Sequence, residues 1–102
     1  MKKTAILLTL FISSFCSHAA VSCKENILDL VVHNNGNVYF STDNTCPNWC
    51  LADLGSEKNN DRAYALLLAA RTKGEALMMR WDLAACSENN ASYAKPSYIF
   101  FT

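Results

Sequence analysis

The sequence contains none of the patterns that usually accompany enzyme chemistry: it has no paired-carboxylate motif, no phosphate-binding loop and no serine or cysteine nucleophile pattern. General-base and nucleophilic catalysis need a reactive group with an orienting partner beside it. His33, the one histidine outside the N-terminal segment, has no such neighbours in the sequence. We therefore expect a protein that is not an enzyme and that uses neither a cofactor nor a metal ion.

The chain also lacks a basic stripe and, beyond its first twenty residues, any apolar run long enough to cross a bilayer. Two lysines belong to the N-terminal segment, so residues 20–102 carry seven basic side chains against nine acidic ones, a net charge near −2. Neither nucleic acid nor a membrane span is expected. Because no repeat, low-complexity tract or linker is present, residues 20–102 are expected to form one domain.

Residues 1–19 resemble a secretory signal peptide. Two lysines follow the first methionine, and a short apolar run then leads to the small-residue patch "SSFCSHAA". Cleavage after Ala19, with Ser17 at the third position before the cut, satisfies the small-x-small rule. The expected location is the periplasm or the cell exterior. In the alternative interpretation, "AVSC" is a lipoprotein box and Cys23 is acylated.

Removal of that segment would leave an even number of cysteines, namely Cys23, Cys46, Cys50 and Cys86. A small exported domain seldom buries enough apolar surface to offset its folding entropy, and an oxidising compartment keeps disulfides closed. The count therefore predicts two disulfides, for which three pairings are possible.

The stretch "CPNWC" places Cys46 and Cys50 around three residues. A thioredoxin-like redox motif has two intervening residues and a following helix, so redox chemistry is disfavoured. A zinc site recruiting Cys86 and His33 would lack a second close pair of ligands. A short disulfide-closed loop that fixes the bend of the chain is the favoured interpretation.

Such a loop would hold Trp49 in a fixed direction among polar neighbours, namely Asp43, Asn44 and Asn48. An exposed indole beside amides and a carboxylate is suited to stacking on a sugar ring and hydrogen bonding its hydroxyls. These residues are the candidate ligand-binding site. The alternative is that the indole folds back as a lid on the end of the domain.

The segment "ILDLVVHNNGNVYFST" predicts a hairpin with strands over residues 27–34 and 37–42. Asn35 and Gly36 are the favoured pair for a two-residue type I′ turn, in which both residues have positive φ. That turn would set Val31 opposite Phe40, Val32 opposite Tyr39 and His33 opposite Val38. Both faces would then be apolar, so we expect the second face to be covered by another element or subunit.

The rest of the chain predicts a short third strand in "WCLADLG", a helix in "NNDRAYALLLAARTKG", a strand in "EALMMRWDLAAC" and a last strand in "SYIFFT". Asn59 or Asn60 is expected to cap the helix, and Gly74 to end it. Trp81 shares a strand face with apolar neighbours and is expected in the core.

This order suits a mainly β fold with one α-helix: a small five-stranded OB-fold-like barrel with its helix between the third and fourth strands. In such a barrel the first and fourth strands are antiparallel neighbours. That favours pairing of Cys23 with Cys86 and of Cys46 with Cys50, although the other two pairings remain open.

The layout resembles the B subunits of bacterial AB5 toxins, most closely those of the Shiga type. The resemblance is carried by "ALLLAARTKG" at 65–74, "LAAC" at 83–86, the closing "SYIFFT" and the position of Cys23 relative to Cys86. It implies an OB-fold that assembles as a homo-oligomeric ring, pairs strands between neighbours, binds glycolipid sugars and works with a separate toxin subunit.

The resemblance has limits at the site. Asp61 stands where Shiga-type members carry a sugar-stacking tryptophan, and "CPNWC" is not part of their pattern. Only the neighbourhood of Ala85 and Cys86 is carried over. The leading hypothesis is an exported, non-enzymatic module that recognises carbohydrate. The alternative is a periplasmic protein-binding inhibitor or immunity-type protein that uses the loop over residues 87–96.

Overall fold

The computed structural model describes residues 20–101, which form six short strands and one helix in two antiparallel sheets. The elements are β1 (Val21–Glu25), β2 (Ile27–Val32), β3 (Val38–Thr42), β4 (Cys50–Leu51), α1 (Glu57–Lys73), β5 (Leu77–Trp81) and β6 (Ile99–Phe100). The sheet orders are β1-β5-β6 and β2-β3-β4. The prediction of a mainly β fold with one helix is confirmed, and no closed barrel is found among these residues. The predicted signal peptide lies outside the described residues.

β1 and β2 are consecutive strands that belong to different sheets. β1 pairs with β5, with Cys23 opposite Met79, whereas β2 pairs with β3. Asn26 separates the two strands, and the carboxyl group of Asp43 accepts both its backbone N–H, at 3.1 Å, and its side-chain amide, at 2.8 Å. The chain therefore crosses from one sheet to the other at a point fixed by a loop after β3. β1 was not predicted from the sequence, because one of its inward-facing residues is the charged Glu25 and the strand therefore lacks the usual apolar alternation.

The β2–β3 hairpin exists, but its predicted turn and register are wrong. The structure pairs Val31 with Tyr39 and Val32 with Val38, one residue away from the expected register. Gly36 N–H donates to His33 O at 2.9 Å, and Gly36 is the one turn residue with positive φ, at 91°. The loop is thus three residues long, with glycine in the left-handed position. Residues directly opposite share a face, so Val31 and Tyr39 lie on the same side of the sheet.

The helix α1 begins earlier than predicted. Ser56, rather than Asn59 or Asn60, is its N-cap, and the Ser56 hydroxyl accepts the Asn59 N–H at 3.1 Å. The two asparagines contact the preceding segment instead: Asn60 Oδ1 accepts the Leu54 N–H at 2.6 Å. Gly74 ends the helix with φ 70°, as predicted.

The core lies between the two sheets and the inner side of α1. Phe40 from β3 and Trp81 from β5 are both buried, with ring centroids 6.4 Å apart. The helix contributes small residues and one leucine, namely Ala63, Leu67 and Ala70. The prediction that Trp81 is a core residue is confirmed.

Both predicted disulfides are present: Cys23 pairs with Cys86, and Cys46 with Cys50. The first joins β1 to the segment that follows β5, and the second closes the short loop before β4. All four of these sulfurs are engaged in disulfides in this structure, in agreement with the favoured interpretation of "CPNWC" as a disulfide-closed loop. Two disulfides are compatible with a secreted or periplasmic protein. Residues 20–101 contain no helix long and apolar enough to cross a membrane.

Glu25 is fully buried and forms a polar centre in the core. Its carboxyl group accepts four hydrogen bonds: from the Thr42 hydroxyl, from the Thr45 N–H at 3.1 Å, from the Thr45 hydroxyl at 2.9 Å and from Trp81 Nε1 at 3.4 Å. The network thus links β1, the end of β3, the disulfide loop and β5. Asn90 extends it, because its amide donates to the Thr45 hydroxyl at 3.0 Å.

Candidate functional site

Three aromatic side chains converge on a cleft at the outer face of the β2–β3 hairpin. The cleft has a volume of about 260 Å³ and is lined by Val31, His33, Tyr39, Trp49 and Tyr93. The rings of Tyr39 and Tyr93 meet edge to face, with centroids 5.5 Å apart, and His33 meets Tyr39 in the same way at 6.1 Å. We name this feature the aromatic cleft.

The corrected register builds the floor of the aromatic cleft. Val31 and Tyr39 are directly opposite each other, and His33 lies two residues beyond Val31 on the same face. This is the second face of the hairpin, which was expected to be covered. Within the single chain Trp49 and Tyr93 border this face, and Val31 is 38% exposed. The other face, with Leu30 and Phe40, packs against the core.

The walls of the cleft come from two loops that are tied to each other. Trp49 belongs to the disulfide loop, and Tyr93 to the loop between β5 and β6; the Tyr93 N–H donates to the Trp49 carbonyl oxygen. A second backbone bond follows, from Leu51 N–H to Ala94 O at 2.9 Å. On the far side of Tyr93, Lys95 Nζ lies 3.1 Å from a carboxyl oxygen of Asp53. The two aromatic walls are therefore held at a fixed spacing.

Tyr93 has an unusual backbone conformation. Its φ is 65°, which makes it the only residue other than glycine with positive φ in the described part of the chain. It occupies the third position of a turn in which Ala94 N–H donates to Ala91 O at 3.2 Å. Glycine or asparagine is favoured at such a position, and another residue costs about 1–2 kcal/mol. Its side chain is nevertheless 57% exposed, so the fold does not use it as a buried anchor.

The polar groups of the aromatic cleft are oriented by the hairpin loop. The Tyr39 hydroxyl accepts the amide groups of Asn37, at 3.1 Å, and Asn35, at 3.3 Å. His33 Nδ1 accepts the Asn35 N–H at 3.1 Å. With both acceptor positions of Tyr39 occupied and Nδ1 of His33 engaged, each side chain presents a hydrogen-bond donor: the tyrosine O–H and, in the neutral imidazole, Nε2–H.

These contacts give a titration that can be measured. Hydrogen bonds from Asn37, and to a lesser extent Asn35, hold the pKa of the Tyr39 phenol below its ordinary value, because they stabilise the phenolate. We expect Asn37→Ala to raise the pKa of Tyr39, measured from the tyrosine Cζ carbon shift by NMR. The Tyr98 phenol, whose pKa is lowered by Ser22 and Arg80, serves as the internal control. An unchanged Tyr39 titration in Asn37→Ala would contradict the assigned contacts.

The structure separates the predicted ligand-binding residues. Trp49 lines the aromatic cleft and is 37% exposed, and Asn48 is exposed beside it in the chain. Asp43 and Asn44 have other contacts: Asp43 binds Asn26, and the Asn44 amide donates to Lys24 O at 3.0 Å. Both residues therefore fix the crossing between the sheets.

Ala85 is half-buried in the segment after β5, where its carbonyl oxygen accepts the Glu88 N–H at 3.1 Å. It does not line the aromatic cleft. Asp61, at the position where the resemblance implied a tryptophan, lies in the first turns of α1 and lines a separate polar recess of about 420 Å³.

Tyr39 and Tyr93 were not predicted as site residues. The register error placed Tyr39 with leucines, and Tyr93 lies in a polar loop with no periodic pattern. A tyrosine in a loop of serine, asparagine and alanine residues was the available signal, because nothing apolar nearby in the sequence explains it.

A third recess, of about 350 Å³, lies between β2 and α1 and combines leucine and valine side chains with Asp29, Tyr64 and Arg71. Its exposed leucine and valine side chains are Leu28, Val32 and Leu68. Arg71 closes one end, where its Nε donates to Leu28 O at 2.9 Å. We name this surface the β2–α1 groove.

No protein-family model, characterised protein or solved structure that was compared with the chain matches it.

Proposed function

We propose that the protein is an exported, non-enzymatic binding module that recognises carbohydrate through the aromatic cleft. The observation that carries the proposal is the convergence of Tyr39, Trp49 and Tyr93 on one accessible recess. The flat face of a pyranose ring, with its axial C–H groups, packs well against the electron-rich face of an aromatic ring. Hydrogen-bond donors at the edge of such a cleft can fix the orientation of the sugar.

The position of Tyr93 supports a role in binding rather than in folding. A strained backbone that displays an exposed side chain is typical of functional sites, where the surrounding structure tolerates the strain. The disulfide loop supports the proposal in the same way, because it limits the orientations of Trp49. Preorganised aromatic side chains lose little conformational entropy when a ligand binds.

The proposal is tested on a glycan array with the disulfide-bonded protein. We expect Trp49→Ala to weaken binding of any responding glycan at least about tenfold, since a tryptophan at the centre of a site often contributes more than 1.4 kcal/mol. Tyr98→Ala is the matched control: Tyr98 is also an exposed aromatic residue, at 42%, but lies outside the cleft. Equal loss in both variants, or no loss in Trp49→Ala, would contradict the proposal.

A second variant separates binding from stability. Tyr93→Asn would relieve about 1 kcal/mol of backbone strain and lose an aromatic contact of about 0.5–1.5 kcal/mol. The free energy of unfolding of Tyr93→Asn should therefore stay within about 1 kcal/mol of the parent value. Its glycan binding should nevertheless be weakened, as in Trp49→Ala.

We further propose that the two sheets form an OB-fold-like barrel of the toxin B-subunit type, which assembles as an oligomer and can accompany a separate toxin subunit. The continuous path from β1 to β2 supports the barrel, because it connects the two sheets, and the bond from Leu51 N–H to Ala94 O ties β4 to the loop that leads to β6. The β2–α1 groove and the edge position of β2 support assembly. Light scattering at micromolar concentration tests this; a stable monomer would contradict it.

The alternative, a module that binds and inhibits another protein, is favoured by the same groove. Exposed apolar side chains that lie together mark interaction sites, and arginine is enriched at protein interfaces. Co-purification of one stoichiometric protein, without any response on the glycan array, would favour this alternative.

A further inference from the structure

We infer that the aromatic cleft takes a single uncharged sugar ring that carries an acetamido group; this inference rests on the carbohydrate recognition proposed above. Three properties of the cleft lead to it: the absence of lysine, arginine, aspartate and glutamate from its lining, its volume, and the presence of two oriented donors beside one aliphatic side chain.

The ligand is expected to be uncharged. The five residues that line the aromatic cleft include no lysine, arginine, aspartate or glutamate. His33 accepts the Asn35 N–H at Nδ1, which only the neutral imidazole can do, so a sugar carboxylate or sulfate entering the cleft would lose hydration without gaining an opposite charge. We therefore expect sialylated and sulfated sugar rings to bind more weakly than neutral ones.

The volume of the cleft limits the ligand to one ring. Sites for drug-sized ligands usually enclose roughly 300–1,000 Å³. The aromatic cleft, at about 260 Å³, lies just below that range. One pyranose ring with a small substituent suits this space, and any further sugars of a glycan would extend into solvent.

The donors indicate which groups of the ring face the protein. Asn35 Oδ1 accepts the Asn37 N–H at 2.9 Å, so its amide nitrogen is the end directed at Tyr39. The Tyr39 hydroxyl then has its own proton left to donate. Since His33 also offers Nε2–H, both of the polar groups that the hairpin loop orients can donate to acceptors on the ligand.

Val31 lies beside these two donors on the same face of the hairpin, on the side away from the turn. It is opposite Tyr39 and two residues before His33, and it offers an apolar surface that is 38% exposed. An acetamido group matches this arrangement, because its carbonyl oxygen is a strong acceptor and its methyl group can cover a valine. A hydroxyl group at the same ring position would leave the valine surface without an apolar partner.

The experiment compares three sets of probes by two-dimensional NMR titration of the disulfide-bonded protein. The first comprises the methyl glycosides of N-acetylglucosamine and N-acetylgalactosamine, the second those of glucose and galactose, and the third that of N-acetylneuraminic acid. We expect the acetamido hexosides to bind at least about tenfold more tightly than their hydroxyl counterparts, with shifts centred on Val31, Tyr39 and Trp49.

Two variants test the assigned contacts. Tyr39→Phe keeps the ring but removes the donor, and should weaken binding of the acetamido hexosides about tenfold and that of the hydroxyl hexosides less, so that the preference between them falls. Val31→Ala should reduce the same preference, since it removes part of the surface that the methyl group covers. Both residues are accessible, so neither change creates a core cavity.

The outcomes distinguish this inference from the proposed function. Equal binding of acetamido and hydroxyl hexosides would overturn the acetamido assignment and leave carbohydrate recognition standing. Tightest binding of the neuraminic acid glycoside would overturn the conclusion that the ligand is uncharged. Absence of any shift at the cleft with all three sets of probes would overturn both the inference and the proposed function.

Discussion

Removing the disulfide between Cys23 and Cys86 is expected to lower the free energy of unfolding by about 4 kcal/mol. The bond spans 63 residues, and the loss of loop-closure entropy in the unfolded chain grows with the logarithm of that span. The bond between Cys46 and Cys50 spans 4 residues, for which the same relation gives about 2 kcal/mol. A domain of this size is stabilised by only roughly 4–12 kcal/mol in total, so loss of the first bond consumes much of its stability.

The measurement is urea denaturation of two double variants, Cys23→Ala with Cys86→Ala and Cys46→Ala with Cys50→Ala, beside the parent. Each variant keeps one disulfide intact and serves as the control for the other. The first should unfold at a markedly lower urea concentration or be unfolded in buffer. Equal destabilisation of the two variants, or peptide mapping that joins Cys23 to another cysteine, would rule out this account.

The second large effect is expected at Glu25. Glu25→Ala removes the acceptor of four hydrogen bonds in a fully buried position. The hydroxyls of Thr42 and Thr45 can rotate toward other acceptors, but the Thr45 N–H and the Trp81 indole N–H cannot. An unsatisfied buried donor costs about 1–3 kcal/mol, so the two together predict a loss of about 4 kcal/mol in the free energy of unfolding.

Glu25→Gln provides a graded comparison. Its amide keeps one oxygen acceptor but places an N–H₂ group toward a donor, so a loss of about 2 kcal/mol is expected. Glu75→Gln, at an exposed position after the helix, is the matched control and should change stability by less than about 0.5 kcal/mol. If Glu25→Gln and Glu75→Gln had the same urea midpoint, the network would not contribute to stability.

Glu25 also explains why the disulfide loop has a defined position. Its carboxyl group accepts from Thr45, the residue before Cys46, and Asn90 N–H donates to Thr45 O at 2.7 Å. The loop that carries Trp49 and the loop that carries Tyr93 therefore both begin near the same buried group. We expect the spectroscopic environment of Trp49 to change in Glu25→Ala wherever that variant remains folded.

The local patterns of the sequence predicted most of the elements. The helix with its stop at Gly74, the hairpin, the core strand with Trp81 and the two disulfides could all be read from apolar spacing, turn residues and cysteine count. Most of these signals act over a few residues. The number of disulfides follows from the cysteine count in an oxidising compartment, and their pairing from the expected order of the strands. They are therefore available without the folded structure.

The aromatic cleft could be predicted only in part, from Trp49. The shift of one residue in the hairpin register moved Tyr39 to the face of Val31 and His33, because opposite residues share a face. The turn type decided that register, and "NNGN" allows both a two-residue and a three-residue loop.

The sequence by itself determined a mainly β chain with one helix, a slight excess of acidic side chains over residues 20–102, four cysteines outside its N-terminal segment and no recognisable catalytic pattern. Only the tertiary structure brought Tyr39, Trp49 and Tyr93 into one cleft and enclosed Glu25 among donors from three elements. The physical reason is distance along the chain: Glu25 and Trp81 are 56 residues apart, and their contact depends on the pairing of β1 with β5, which local patterns do not specify.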